Sequence, residues 1–99
     1  MIKVNIYIVK QTIEVIQGHE LEKNVTNLYG AYKNEEDAKN KGKEVIDKIM
    51  KREQVQFLKH VHVDKDNPFK DSNIVVLEKG NDWSWSTTHS IEIVEMKLK

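Results

Sequence analysis

Cysteine is absent from this 99-residue chain, and proline and arginine each occur only once. Without cysteine there is no disulfide framework, thiol nucleophile, thiolate zinc site or iron–sulfur cluster, so the sequence predicts a reducing, cytoplasmic environment. No apolar run approaches the roughly 18 residues of a membrane span, and the first residues alternate where a signal peptide would be continuously apolar. We therefore expect neither secretion by that route nor a membrane segment.

An excess of charge of either sign is also missing, since 16 basic residues balance 16 acidic ones. No segment is polybasic. Of the 16 basic residues all but Arg52 are lysine, whereas recognition of phosphates and base edges favours the forked guanidinium of arginine. The composition therefore disfavours nucleic acid as a partner.

Apolar residues are plentiful enough for a folded core. Leucine, isoleucine, valine and phenylalanine together number 28 of 99 residues, well above the roughly one-fifth share below which chains tend to stay disordered. We expect a single domain over residues 1–99, because two domains would each be too small to support a core.

The first third of the chain predicts a long hairpin. Residues 2–8 alternate with period two, which is typical of a half-buried strand. After Ile8 the alternation changes phase, which predicts a bulge or a new strand near Lys10 and Gln11. Gly18 and His19 mark a turn, so residues 2–17 and 20–32 are expected to pair.

A helix is predicted after Asn34, a suitable N-cap followed by three acidic residues in the first turn. Apolar residues then recur at spacings of three and four, which predicts one buried stripe. The stripe consists of Ala38, Gly42, Val45, Ile46, Ile49 and Met50.

The second half of the chain predicts three more strands. Residues 55–63 alternate, residues 64–68 have strong turn chemistry, residues 74–79 form a short apolar strand and residues 79–82 form a turn. The last strand, residues 83–98, changes phase at Val94. The expected fold is α+β, an antiparallel sheet of about five strands in the order β-β-α-β-β-β with one helix packed on one face.

The segment from His60 to Asp64 is the sharpest candidate for a metal site. On a strand His60, His62 and Asp64 point the same way, and two imidazoles with a carboxylate can hold zinc or non-haem iron. The alternative is that both histidines lie on the solvent face of a strand. We expect no bound metal or other cofactor.

No pattern for nucleophilic catalysis is present. Ser84, Ser86 and Ser90 lie near His89 in sequence, but neighbours on a strand alternate faces, and no strained nucleophile turn or glycine-rich phosphate loop occurs. We therefore expect the protein not to be an enzyme.

Trp83 and Trp85, two residues apart on a predicted strand, form an aromatic ledge. If the rings are exposed, the ledge is an interface anchor or a stacking platform. The alternative is that both rings close the core over the helix, in phase with Ile91 and Ile93.

Residues 30–38, Gly-Ala-Tyr-Lys-Asn-Glu-Glu-Asp-Ala, resemble a recurrent pattern in short uncharacterised bacterial and phage proteins. In that pattern a strand ends in Gly-x-aromatic, and Ser, Thr or Asn then caps a helix. The match covers about the first half of the chain. The resemblance implies a small accessory protein, phage or mobile-element encoded, that works by binding.

One helix covers only part of a five-stranded sheet, so the second face is either solvated or covered by a partner. We expect a non-catalytic protein that uses its sheet to occlude a protein target, for example a host defence enzyme, or to form a homodimer. The expected contacts are Trp83, Trp85, Tyr29 and Phe69. The alternatives are a small-ligand or metal-binding protein centred on His60 and His62, and a single-stranded nucleic-acid binder.

Overall fold

Five antiparallel strands and one helix make up the part of the chain described by the computed structural model, which covers residues 4–18, 20–57, 63–82 and 85–98. The elements are β1 (Val4–Gln17), β2 (Glu20–Tyr32), α1 (Glu35–Arg52), β3 (Gln56–Phe57), β4 (Ile74–Asp82) and β5 (Trp85–Leu98). The order across the sheet is β2-β1-β5-β4-β3, and every neighbouring pair is antiparallel. The predicted α+β class, with one helix on an antiparallel sheet, is confirmed.

Strands β1 and β2 form the long hairpin that the sequence predicts. Gly18 follows β1 with a φ of +65°, a left-handed conformation that favours glycine in a tight turn. Near the other end of the hairpin, Tyr29 and Gly30 of β2 lie opposite the single residue Val9 of β1, which makes a β-bulge. The φ of +117° at Gly30 explains why a glycine occupies the bulge.

The phase change after Ile8 is not an irregularity of the first strand. Strand β1 pairs with β5 from Val4 to Gln17 without a shift of register. The apolar residues change face instead, because Val4, Ile6 and Ile8 lie on one side of the sheet, whereas Val9 is buried on the other. A bulge is therefore present at the predicted level of the β1–β2 ladder, between Ile8 and Lys10, but its extra residue belongs to β2, and no new strand begins there.

Helix α1 begins as the sequence predicts. The Asn34 side chain accepts a hydrogen bond from the backbone N–H of Glu36 at 2.8 Å, which satisfies one of the free donors of the first turn. The residues of the predicted apolar stripe are buried or pack against the core: Ala38, Gly42, Val45, Ile46, Ile49 and Met50.

The core lies between α1 and one face of the sheet. Its buried hydrophobic residues are Val9, Ala38, Val45, Ile46, Ile49, Val55, Phe69, Val75, Leu77, Ile91 and Ile93. Phe69, from the segment between β3 and β4, is 1% exposed. A Cβ added at Gly42 would lie 2.7 Å from the Phe69 ring and 3.2 Å from Ile93. The helix can approach this ring only because position 42 has no side chain.

Two predictions for the second half of the chain need correction. The turn predicted at residues 79–82 is wrong, because these residues belong to β4. Gly80 adopts a φ of +81°, and the pairing of β4 with β5 shifts register between Lys79 and Asp82. The glycine therefore allows an irregularity within the β4–β5 ladder. Of the strand predicted at residues 55–63, Gln56 and Phe57 form β3, Val63 is not in a strand, and residues 58–62 lie outside the described part.

Candidate protein-binding face

The strand register defines which side chains lie on the face of the sheet that α1 does not cover. Directly paired residues of antiparallel strands point to the same side. Gln11, Ile91 and Val75 form one such row and are all buried on the helix side. The even-numbered residues of β1 and β5 therefore lie on the opposite side, together with those of β4 from residue 74 to 78. We call this side the open face.

Large hydrophobic side chains that are exposed in the described part of the chain all lie on the open face. They are Val4, Ile16, Leu21, Leu28, Ile74 and Met96, with exposures from 37% to 66%. Single exposed hydrophobic residues are normal on any protein surface, and here the exposed ones share one face, which makes it the candidate interaction surface.

One end of the open face is continuously apolar. Ile6 pairs with Met96 and Ile8 pairs with Val94 in the β1–β5 ladder, and Ala31 of β2 extends the second row. The two phase changes in the sequence, after Ile8 and at Val94, therefore meet at the same level of the sheet. Together they place aliphatic side chains on the side away from the helix.

A row across the middle of the open face combines charged and apolar side chains. Its order across the four strands is Leu28, Lys10, Glu92, Ile74. The two charged residues lie in the centre of the row, and the outer residues are among the most exposed hydrophobic side chains, Leu28 at 66% and Ile74 at 48%. The row has an acid beside a base, with one aliphatic residue on either flank.

Beyond this row the open face is mostly polar. Thr26, Thr12 and Ser90 follow on adjacent strands, and Thr88 lies in the next row. The charged side chains described on this face are Lys10, Glu14, Glu78 and Glu92.

Of the four predicted aromatic contacts, the two whose side chains are described do not lie on the open face. Trp83 lies outside the described residues, and for Trp85 the description covers the backbone, which pairs with Gln17. Tyr29 is half-buried on the helix side. Phe69 is buried beneath α1, so its ring does not reach a surface. The aliphatic surface was missed, although the two phase changes were a signal for it.

Beneath the helix, four polar side chains from different elements form a connected network. The Tyr29 hydroxyl donates to Oε1 of Gln11, and Gln11 Nε2 lies 3.0 Å from Nδ1 of His89. On the other side of the imidazole, Nε2 lies 3.2 Å from a carboxylate oxygen of Glu53, the residue that ends α1. The network links β2, β1, β5 and the end of the helix.

The hydrogen-bond partners assign the proton on His89. Because Gln11 Oε1 accepts from Tyr29, its amide nitrogen faces the imidazole and donates to Nδ1. The neutral ring then carries its proton on Nε2, facing Glu53. The contact between Nε2 and the Glu53 carboxylate is close, but its geometry is not that of a hydrogen bond. We interpret it as an electrostatic contact.

Burial lowers the pKa of His89 below its usual range. The Glu53 carboxylate raises the pKa and Arg52 lowers it, but neither outweighs burial. His89 is 2% exposed, so the imidazole is enclosed by its partners. The network fits a structural role, fixing the end of the helix on the sheet.

The metal prediction rests largely on residues that are not described, since His60 and His62 lie outside the described ranges. Asp64 is exposed, and its Oδ1 accepts the backbone N–H of Asp66 at 2.9 Å, as expected of a turn. Within the described residues, no group of three or more potential metal ligands occurs.

Two of the three serines near His89 are separated from it by the sheet, and the third, Ser84, lies outside the described residues. Ser86 and Ser90 are on the open face, whereas His89 is buried on the helix side. The alternation of strand neighbours that the sequence predicted accounts for this separation.

No protein-family model matches the chain, and no curated protein or solved structure is significantly similar to it. The described residues include no helix with the length and apolar character needed to cross a bilayer.

Proposed function

We propose that this chain is a small non-catalytic binding protein whose open face binds a protein, either a target that it occludes or a second copy of the chain. The resemblance at residues 30–38 suggests a phage or mobile-element accessory protein, and the partner would then be a host protein such as a defence enzyme. The observation that carries the proposal is the confinement of six exposed large hydrophobic side chains to one face.

The energy available from this face is suited to recognition of a protein. Complete burial of an aliphatic side chain stabilises by roughly 2 kcal/mol, so each of the half-exposed residues would contribute about 1 kcal/mol. Association itself costs at least about 4 kcal/mol. The apolar residues therefore offset this cost, and the polar and charged residues between them supply specificity.

The charge of the open face favours a protein over a nucleic acid. Among its described side chains, Glu14, Glu78 and Glu92 outnumber Lys10. A polyanion would be repelled by such a surface, since binding of nucleic acid depends on neutralising phosphates with basic groups. A partner with a mixed or basic rim is complementary.

The test is capture of a partner by the tagged chain from lysate of the cells that carry its gene. The captured protein is identified by mass spectrometry and purified, and its affinity is measured directly. The variant Leu28→Lys with Met96→Lys buries two unpaired charges in the interface, and we expect it to bind at least about 100-fold more weakly.

A control with the same added charge is Asn40→Lys with Gln54→Lys, because both positions are exposed and lie off the open face. This control should bind like the wild type. Equal affinity of the wild type and the open-face variant for the purified partner would contradict the proposal.

A further inference from the structure

We propose that the partner of the open face is a second copy of this chain, packed face to face about a two-fold axis that lies in the plane of the interface, passes between β1 and β5 and makes a small angle with both strands. The inference rests on the proposed function, because it uses the same face, and it adds a specific occupant. It follows from the order of side chains across the sheet.

A two-fold axis in this position reverses the strand order between the two sheets. Strand β1 of one copy then faces β5 of the other, and β2 faces β4. Packed sheets cross at about 30°, so rows near the crossing point stay aligned while rows at the ends drift apart. The ladder of β1 and β5 runs from Val4 to Gln17, and Lys10 lies at its middle.

The central row is complementary to itself under this operation. Lys10 faces Glu92 of the partner subunit, and Leu28 faces Ile74 of the partner subunit. Each contact occurs twice, so the dimer gains two ion pairs flanked by two aliphatic contacts. A row with like charges or with one apolar flank would not match its own copy.

The neighbouring rows match in the same way. Toward the apolar end, Ile8 faces Val94 of the partner subunit. Toward the polar end, Thr12 faces Ser90 of the partner subunit. Along β1 and β5, apolar residues therefore meet apolar residues and hydroxyl groups meet hydroxyl groups, whereas at the outer strands Thr26 faces Val76 of the partner subunit.

The open face is also large enough for a stable dimer. Strands β1, β2, β4 and β5 contain 14, 13, 9 and 14 residues, and at about 3.3 Å per residue and about 4.8 Å per strand they span an area of about 800 Å². A standard specific interface buries about 800 Å² on each partner. A sheet-to-sheet contact over the open face reaches this size.

Light scattering and sedimentation of the full chain give the oligomeric state. The chain has a mass of 11.6 kDa, so we expect a species of about 23 kDa for a dimer. Lys10→Glu and Glu92→Lys each place like charges opposite one another, and we expect either change to raise the dimer dissociation constant at least about 100-fold.

Mixing the two variants separates this interface from effects within one chain. In the mixed dimer the carboxylate introduced by Lys10→Glu faces the ammonium group introduced by Glu92→Lys, so a species of about 23 kDa should return only after mixing. A repulsion confined to one chain could not be relieved by a second chain.

Cysteine pairs give a second readout, because the chain has no cysteine of its own. Packed sheets lie about 10 Å apart, which is too far for a direct disulfide between facing positions, so a short bis-maleimide linker is used to join the introduced thiols. Leu28→Cys mixed with Ile74→Cys should give a covalent dimer with this linker. Each variant alone should give much less, because its two thiols lie three strand spacings, about 14 Å, apart along the interface.

A wild type that is monomeric at about 100 µM would contradict the proposed interface. A dimer whose dissociation constant is unchanged by both charge reversals would contradict it as well. A wild type that is monomeric but loses an identified partner upon Leu28→Lys with Met96→Lys would overturn the dimer while supporting the proposed function. A dimer restored by mixing and cross-linked between positions 28 and 74 would support it.

Discussion

Glutamate at position 11 should reverse the pH dependence that His89 gives to the free energy of unfolding. Gln11→Glu is nearly isosteric, and it keeps an oxygen to accept the hydrogen bond from Tyr29. The amide nitrogen that lies 3.0 Å from Nδ1 of His89 becomes a carboxylate oxygen. A donor to the neutral imidazole is thereby replaced by an acceptor that needs a proton on Nδ1.

In the wild type, burial lowers the pKa of His89 in the folded state. The unfolded chain therefore binds more protons as the pH falls below about 6.5, the ordinary value for histidine. The contribution to stability is complete above that pH and is lost as the pH falls through the folded pKa. Within this window stability rises with pH, by at most about 1.4 kcal/mol per unit.

In the variant, the introduced carboxyl group and His89 together retain one proton in the folded state. The unfolded chain loses that proton as the pH rises past about 6.5, so the folded state now binds more protons. The contribution is complete below that pH and is lost as the pH rises through the raised folded pKa. The slope within this window is again at most about 1.4 kcal/mol per unit, with the opposite sign.

Urea unfolding at several pH values from 5 to 8 tests this reasoning. The difference in the free energy of unfolding, wild type minus variant, should increase with pH throughout, while titration of the other three histidines cancels in the difference. Gln17→Glu is the control, since it adds a carboxylate at an exposed position of the same strand, and its difference should stay nearly flat. A Gln11→Glu difference that is flat or decreases with pH would refute the assigned network.

If Gln11→Glu does not fold, His89→Gln provides the same information about the wild type. The difference in the free energy of unfolding, wild type minus His89→Gln, should increase as the pH rises toward about 6.5 and then level off. A difference without this increase would contradict the lowered pKa of His89.

Two further substitutions test the packing and the start of α1. Gly42→Ala gains about 1 kcal/mol of helix propensity but forces a Cβ to 2.7 Å from the buried Phe69 ring. We therefore expect the free energy of unfolding in urea to fall by about 1 kcal/mol, and by less when Phe69→Leu is added. A gain in stability would show that the ring can move aside. Asn34→Ala removes the cap bond to Glu36 and should cost about 1 kcal/mol, lowering the melting temperature by about 4–8 °C, as followed by circular dichroism; an unchanged melting temperature would argue against the cap.

Local patterns predicted the elements well because their causes are local. The cap at Asn34 and the spacing from Ala38 to Met50 depend on residues within a few positions of one another, and they define α1 without reference to the sheet. The hairpin was predictable for the same reason. The errors arose where pairing with another strand decides the outcome, as at residues 79–82, where Gly80 lies within a ladder with β5 instead of in a turn.

The candidate site was harder to predict than the fold. Sequence reasoning placed Tyr29 and Phe69 at the interface because aromatic residues often anchor contacts, yet the core uses both. The phase change after Ile8 was interpreted as a defect of one strand. It became informative only together with the matching change at Val94, which lies on the adjacent strand.

The sequence by itself determined the absence of thiol chemistry, the α+β class and the buried stripe of the helix, since these depend on composition and short-range periodicity. The tertiary structure decided which side chains contact one another. Lys10 and Glu92 become neighbours only because β5 pairs with β1, although the two strands lie near opposite ends of the sequence. The same pairing brings Gln11 to His89, 78 positions away. Periodicity sorts side chains into two faces but does not say which face the helix covers, and that covering leaves the aliphatic residues of the open face exposed.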